Sequence, residues 1–216
     1  MRRRWLGTLV LMVLALWPAP LLAGPTREEA LKALADKGSA DSRRLGAQAL
    51  GETGLMSDLP QLAAALRDND EVVRENAESS MWQVWSRSGD PTIDRLFATG
   101  LEQMNARQGE PAVETFSEII RRKPEFAEGW NKRATVYFIA GDFRHSLADC
   151  DQVMKRNPNH FGALAGYGQI YFQMEQYEKA ISYWKRALKA NPNMVSVEDN
   201  IEIAEKLVAE RRRNTI

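Results

Sequence analysis

Prolines at positions 124, 158 and 192 recur at intervals of 34 residues, and no other feature of this chain restricts its fold so strongly. A fixed period of that length marks one supersecondary unit repeated along the chain. Each unit is too small to bury its own apolar face and is obliged to stack on the next. Other landmarks keep the same register. Between Phe161 and Pro192 they are Leu164, Tyr167, Gly168, Tyr171, Ala180, Trp184 and Ala187, and one period earlier the same places hold Trp130, Arg133, Ala134, Tyr137, Ser146, Cys150 and Val153.

Each position has a physical role. Large residues at i, i+3 and i+7 form one face of a first helix. Small residues, Ala134 and Gly168 in the first helix and Ser146 and Ala180 in the second, let two helix axes approach closely. Trp184 and Cys150 fill the space between neighbouring helices, and proline stops the second helix because it lacks an amide proton and forces the preceding residue out of helical geometry. Arg121-Arg122-Lys123, Lys155-Arg156 and Lys189 fall in last turns, where cations meet the negative end of the helix dipole. Turns are expected at Ala140-Gly141-Asp142 and Met174-Glu175-Gln176.

These residues resemble tetratricopeptide repeats. The units at about 124–157 and 158–191 match that motif closely. A third, at about 90–123, keeps Leu96, Gly100, Ala112, Phe116, Ile119 and Pro124 but has Thr99 and Gln103 where large apolar residues are usual. After Pro192, the residues Val197, Ile201, Ala204 and Leu207 line one face of a helix ending in Arg211-Arg212-Arg213, which would cap the array over 192–213.

Ahead of these units, over 24–89, the pattern changes. Ser42-Arg43-Arg44-Leu45-Gly46-Ala47-Gln48-Ala49-Leu50-Gly51 resembles the stretch Val73 to Trp82, and both are similar to HEAT repeats, with an intervening helix supplied by the stretch Asp58 to Asp68. An amphipathic helix from Thr26 to Lys37 would cap the front. Trp82 and Trp85 share one helix face and are expected to weld this segment to the first tetratricopeptide unit. The fold expected is therefore all-α: a right-handed α-solenoid, HEAT-like and then tetratricopeptide, with the repeat domain over 90–216.

The first 23 residues read as a secretory signal peptide. Arg2-Arg3-Arg4 precede an apolar stretch from Trp5 to Trp17, then Pro18-Ala19-Pro20 and Leu21-Leu22-Ala23-Gly24. An uncleaved anchor in the inner membrane is the alternative, since Trp5 to Leu22 approaches spanning length, but the prolines interrupt it. The arginines also resemble a twin-arginine signal, yet the apolar stretch favours the general secretory route. The expected location is the periplasm, with no stable membrane insertion once the leader is removed.

Without the leader, 26 basic residues face 29 acidic ones. A net charge of −3 argues against nucleic acid as partner. The single cysteine, Cys150, excludes an internal disulfide and occupies an apolar repeat position. His145 and His160 lack metal-ligand spacing with each other or with Cys150. The glycines from Gly162 to Gly168 lie inside a repeat helix, not after a strand, so they are not a phosphate loop. No nucleophile elbow is present. The carboxylates of Asp149, Asp151, Glu198 and Asp199 read as solvated faces. No cofactor, metal site or catalytic residue is expected.

The resemblance implies a groove lined by the first helices of successive units, taking an extended peptide or helix of a protein partner. Carried over by position, its residues are Phe97, Leu101 and Met104, then Asn131, Thr135 and Phe138, then Ala165, Gln169 and Phe172. Asn131 and Gln169 would hold backbone amides, and Phe138 and Phe172 would bury apolar anchors. No basic cluster suited to an acidic tail is evident. The function expected is a non-enzymatic scaffold or adaptor of the bacterial cell envelope. Self-association as a homo-oligomer, or an enzyme or small-molecule binder with a hidden site, are the alternatives. N-terminal sequencing of the exported protein should read from Gly24; a start at Met1 or Arg2 would contradict the cleaved leader.

Overall fold

The computed structural model describes residues 24–214; the leader expected over 1–23 lies outside them. The described residues form eleven α-helices: α1 (Arg27–Leu34), α2 (Ala40–Thr53), α3 (Leu59–Ala65), α4 (Glu71–Trp85), α5 (Pro91–Asn105), α6 (Gly109–Arg122), α7 (Ala127–Ile139), α8 (Phe143–Arg156), α9 (Phe161–Gln173), α10 (Tyr177–Ala190) and α11 (Val195–Asn214). No strand occurs among them. From α5 onward each helix packs on the next as an α-solenoid.

The period in the sequence is a period in the backbone. Helices α6, α8 and α10 stop at Arg122, Arg156 and Ala190. The residues that follow, Lys123, Asn157 and Asn191, take φ of −138°, −140° and −130° with ψ of 71°, 88° and 105°, which is the extended geometry a following proline imposes. Turns within units repeat as faithfully. Arg107, Gly141 and Glu175 each sit in the left-handed region at φ 58°, 77° and 57°. One residue later, the N–H groups of Gln108, Asp142 and Gln176 donate to the carbonyls of Gln103, Tyr137 and Tyr171. This is the Schellman closure of a helix C-terminus.

Small residues allow the close approach expected of them. A Cβ on Gly168 would lie 2.3 Å from Trp184 Cδ1, so the fully buried indole sits directly on the α9 backbone. In the unit that departs from the motif, polar contacts replace apolar packing: Thr115 Oγ1 donates to Gln103 Oε1 at 2.8 Å. Arg133 stands where a large apolar residue is usual. It makes a two-pronged pair with Asp149 at 2.7 and 2.8 Å and lies over the rings of Trp130 and Tyr137. Asp149 is therefore buried and paired rather than part of a solvated face. Asp151 accepts the hydroxyl of Tyr167, and burial together with that carboxylate pushes the phenol pKa upward. At the C-terminus the buried face of α11 is Val197, Ile201, Ala204 and Val208, with Leu207 half-buried beside it.

In the front segment α2 and α4 lie side by side, joined at the core by Ser80 Oγ donating to Ala47 O at 2.7 Å. Arg43 with Asp68 and Arg44 with Asp70 tie α2 to the turn before α4. The first helix ends at Leu34, one turn short of the expected Lys37.

The destination of α4 corrects the sequence reading. Trp82 and Trp85 do not weld the front segment to the first tetratricopeptide unit. They seat on His160 and Phe161 at the start of α9, with ring centroids 4.2–5.4 Å apart, and Lys132 of α7 lies 5.3 Å over the Trp82 ring. Phe161 is part of the front segment's own core. Hydrogen bonds extend the contact to the end of the third unit, from Arg67 to Lys189 O at 2.5 Å and between Asn193 and both Arg74 and Leu66. The physical reason lies in the connection. Gly89, at φ 77°, turns the chain, while Arg87 is bound back to the carbonyls of Gly51 and Gly54. The front segment thus folds back along the repeats.

The left-handed turn residues generate a prediction. Arg107 pays a steric penalty of roughly 1 kcal/mol there that glycine avoids, and it makes no ion pair among the described residues. Arg107→Gly should raise unfolding free energy by up to about 1 kcal/mol in urea titration; destabilisation would contradict the assignment.

Candidate functional site

Repetition brings the first helices of successive units side by side, so residues on their inner faces line a common cleft. Its volume is about 330 Å³. One wall is α7, with Asn131, Thr135 and Phe138; α9 supplies Ala165 and Gln169; α11 closes the far side with Ser196, Val197 and Asn200. The floor is apolar and comes from second helices as well as first, through Cys150, Ile170 and Trp184.

Of the nine groove residues expected, five line this cleft: Asn131, Thr135, Phe138, Ala165 and Gln169. The other four do not. Phe97 is 4 % exposed, its ring 5.3 Å from Phe126 and 6.0 Å from Phe116, so it is held in one buried cluster with them and Ile93 instead of facing a groove. Leu101 and Met104 pack against that same cluster. Phe172 leans on Tyr177 and Trp184 at centroid distances of 5.3 and 5.6 Å, bracing α9 on α10. The cleft therefore spans the second and third units and the capping helix, not all three units.

Position-by-position transfer overlooked the α11 wall. The signal was present: Asn200 follows Val197 by three residues and shares its helix face. Cys150 lies on the cleft floor but is not primed for chemistry. Burial pushes its thiol up to about 12, with Asp149 and Asp151 adding to the effect, so it stays protonated and packs as an apolar side chain. Among the described residues no cluster of three or more histidine, cysteine or carboxylate side chains is arranged to hold a metal ion.

A second arrangement borders the cleft and was absent from the sequence reading. Glu128 and His160 both have no exposed surface, and His160 Nε2 lies 2.6 Å from Glu128 Oε1. Asn131 Nδ2 donates to both carboxylate oxygens at 3.0 and 3.2 Å, and Lys132 Nζ is 3.5 Å from Oε2. The other imidazole nitrogen, Nδ1, accepts the N–H of Ala163 at 3.0 Å and so caps α9. That bond leaves Nδ1 as acceptor and places the ring proton on Nε2, facing the carboxylate. Trp85 stacks on the imidazole at 4.2 Å. Burial pushes the Glu128 carboxyl upward, but the hydrogen bonds from His160 and Asn131 and the charge of Lys132 outweigh it and hold the group below the usual carboxylate range.

The sign of the pH effect follows. Glu128 contributes stability that is complete above its ordinary value of 4.5 and is lost as pH falls below it through the depressed folded-state value. Glu128→Gln keeps an acceptor for His160 but leaves Lys132 without its anion. We expect it to cost about 1–3 kcal/mol at pH 7 and to flatten the acid limb of a stability–pH curve, read by urea titration from pH 7 to 3. An unchanged acid limb would contradict the assignment.

Over residues 164–194 the chain matches the family model described as tetratricopeptide repeat. A TPR repeat-containing protein of Rhizobium etli is 30 % identical over 155 residues, which cover 71 % of this chain and 76 % of that protein. Hsp70-Hsp90 organizing protein 1 of Glycine max is 26 % identical over 113 residues, 52 % of this chain, and the chain spans only 20 % of that protein's length. Among solved structures, the first TPR of Spaghetti (RPAP3) bound to the HSP90 peptide SRMEEVD superposes with a TM-score of 0.53 at 19 % identity, covering 54 % of this chain and 93 % of that one. MamA superposes with a TM-score of 0.52 at 15 % identity, covering 73 % and 87 %. The two structural likenesses concern the fold.

Proposed function

Because the chain belongs to the tetratricopeptide repeat-containing proteins, we propose that it is a non-enzymatic adaptor that holds a segment of a protein partner in the cleft between α7, α9 and α11. We further propose that it works in the cell envelope after export and loss of its leader, with a HEAT-like front segment that braces the repeats.

One observation carries the binding reading. Gln169 and Asn200 are half-buried in the cleft walls, with no side-chain partner among the described residues, above a floor of Ile170, Trp184 and Val197. Half-buried amides without partners beside apolar surface suit a chain that brings its own backbone donors and acceptors. Two of the solved repeat domains point the same way: the first TPR of RPAP3 is bound to an HSP90 peptide, and the TPR2B domain of yeast Sti1 is in complex with pHsp70. The adaptor role needs no reactive group, and the buried, protonated Cys150 supplies none.

A photo-crosslinking residue at Thr135, which is exposed on the cleft wall, tests this in the producing cell. It should capture protein partners that the same residue at exposed Glu202 does not. Phe138→Ala with Gln169→Ala should lower capture at least about tenfold while circular dichroism stays unchanged. Equal capture from both positions, or capture indifferent to the double substitution, would refute the cleft as the binding site.

A further inference from the structure

None of the residues lining the cleft carries a formal charge. The polar groups it offers are the amides of Gln169 and Asn200 and the hydroxyls of Thr135 and Ser196, while the Asn131 amide nitrogen is engaged by Glu128. The cations of α7 are already committed, Arg133 to Asp149 and Lys132 to the buried pair, with its ammonium 3.5 Å from Glu128 and over the Trp82 ring. Withdrawing Lys132 to meet an incoming anion would leave the fully buried Glu128 with one cation fewer. One end of the cleft is also bounded by the front segment: Gly162 and Met194 line the cleft, while Trp82 closes on Gly162 so tightly that a Cβ there would lie 2.4 Å from the ring.

Resting on the binding role proposed above, we propose that the cleft selects an uncharged, extended stretch from within a partner chain, anchored by an apolar side chain, and rejects acidic carboxyl-terminal tails. Neutral amides on opposite walls hydrogen-bond a peptide backbone without regard to charge. A carboxylate entering here loses water and gains no cation, a cost that burial of an unpaired charge always carries. The apolar floor of Ile170, Trp184 and Val197 takes the anchor. Specificity against acidic tails thus comes from a missing charge as much as from any contact made.

The test uses the full chain as bait for a random peptide library displayed internally, so that no peptide has a free carboxyl terminus. It is paired with a fluorescent SRMEEVD peptide, the HSP90 sequence held by the RPAP3 domain. Enriched peptides should lack acidic residues and share a large apolar side chain. Their binding should weaken at least about tenfold in Gln169→Ala and Phe138→Ala, and change less than about twofold between low and high salt. SRMEEVD should bind at least about a hundredfold more weakly than the best enriched peptide. If acidic peptides win, or if SRMEEVD binds comparably in a salt-sensitive way that Lys132→Ala abolishes, the selectivity is overturned although the cleft still binds peptides. If no enriched peptide depends on Gln169 or Phe138, the cleft is not the binding site and both proposals fall.

Discussion

Glu128 has no exposed surface, and a carboxylate in that position is tolerated only when its charge is answered by the atoms around it. The answer comes from three directions. His160 belongs to the start of the third unit, Lys132 and Asn131 lie on α7 of the second, and Trp85 of the front segment covers the imidazole. Helix α9 depends on the same residue, because His160 caps its N-terminus through the nitrogen that does not face Glu128. Loss of the carboxylate therefore acts on two repeats and on the front segment together. The buried pair couples parts of the chain that a solenoid would otherwise leave nearly independent, since repeats ordinarily contact only their neighbours.

That coupling shapes the cleft. A front segment held on His160 and Phe161 stands at one end of it, and the lysine on the adjoining wall is spent on the pair and on Trp82. Neutrality of the cleft is thus a consequence of how the front segment docks as well as of which residues line it. Asn131 belongs to both arrangements: its amide nitrogen serves Glu128 while its side chain forms part of the cleft wall.

The repeat architecture was legible because its determinants are local. A proline stops a helix whatever lies around it, and the extended backbone of Lys123, Asn157 and Asn191 follows from the next residue in the chain. Half of the cleft was legible for the same reason, since equivalent places in equivalent helices face the same way, as Asn131, Thr135, Ala165 and Gln169 do. The reading failed where a residue's role depends on a partner far along the chain. Periodicity says that Trp82 and Trp85 share a helix face, but the chain reversal at Gly89 decides which unit they meet. Phe97 keeps a groove position yet packs inward on Phe116 and Phe126, and the burial of Asp149 depends on Arg133 standing sixteen residues earlier.

The contrast between second and first units explains why the cleft is short. In the second unit Arg133 and Asp149 satisfy one another inside the helix stack, so α7 keeps its inner face for Asn131, Thr135 and Phe138. In the first unit Phe97 is turned inward, and half-buried Leu101 and Met104 pack against the same core. A solenoid that must fill one unit from its own groove face gives up recognition length there. Helix α11 restores it at the other end, because Val197 anchors the cap while Ser196 and Asn200, on either side of it, face the cleft. The capping helix is in this way both the end of the core and a wall of the cleft.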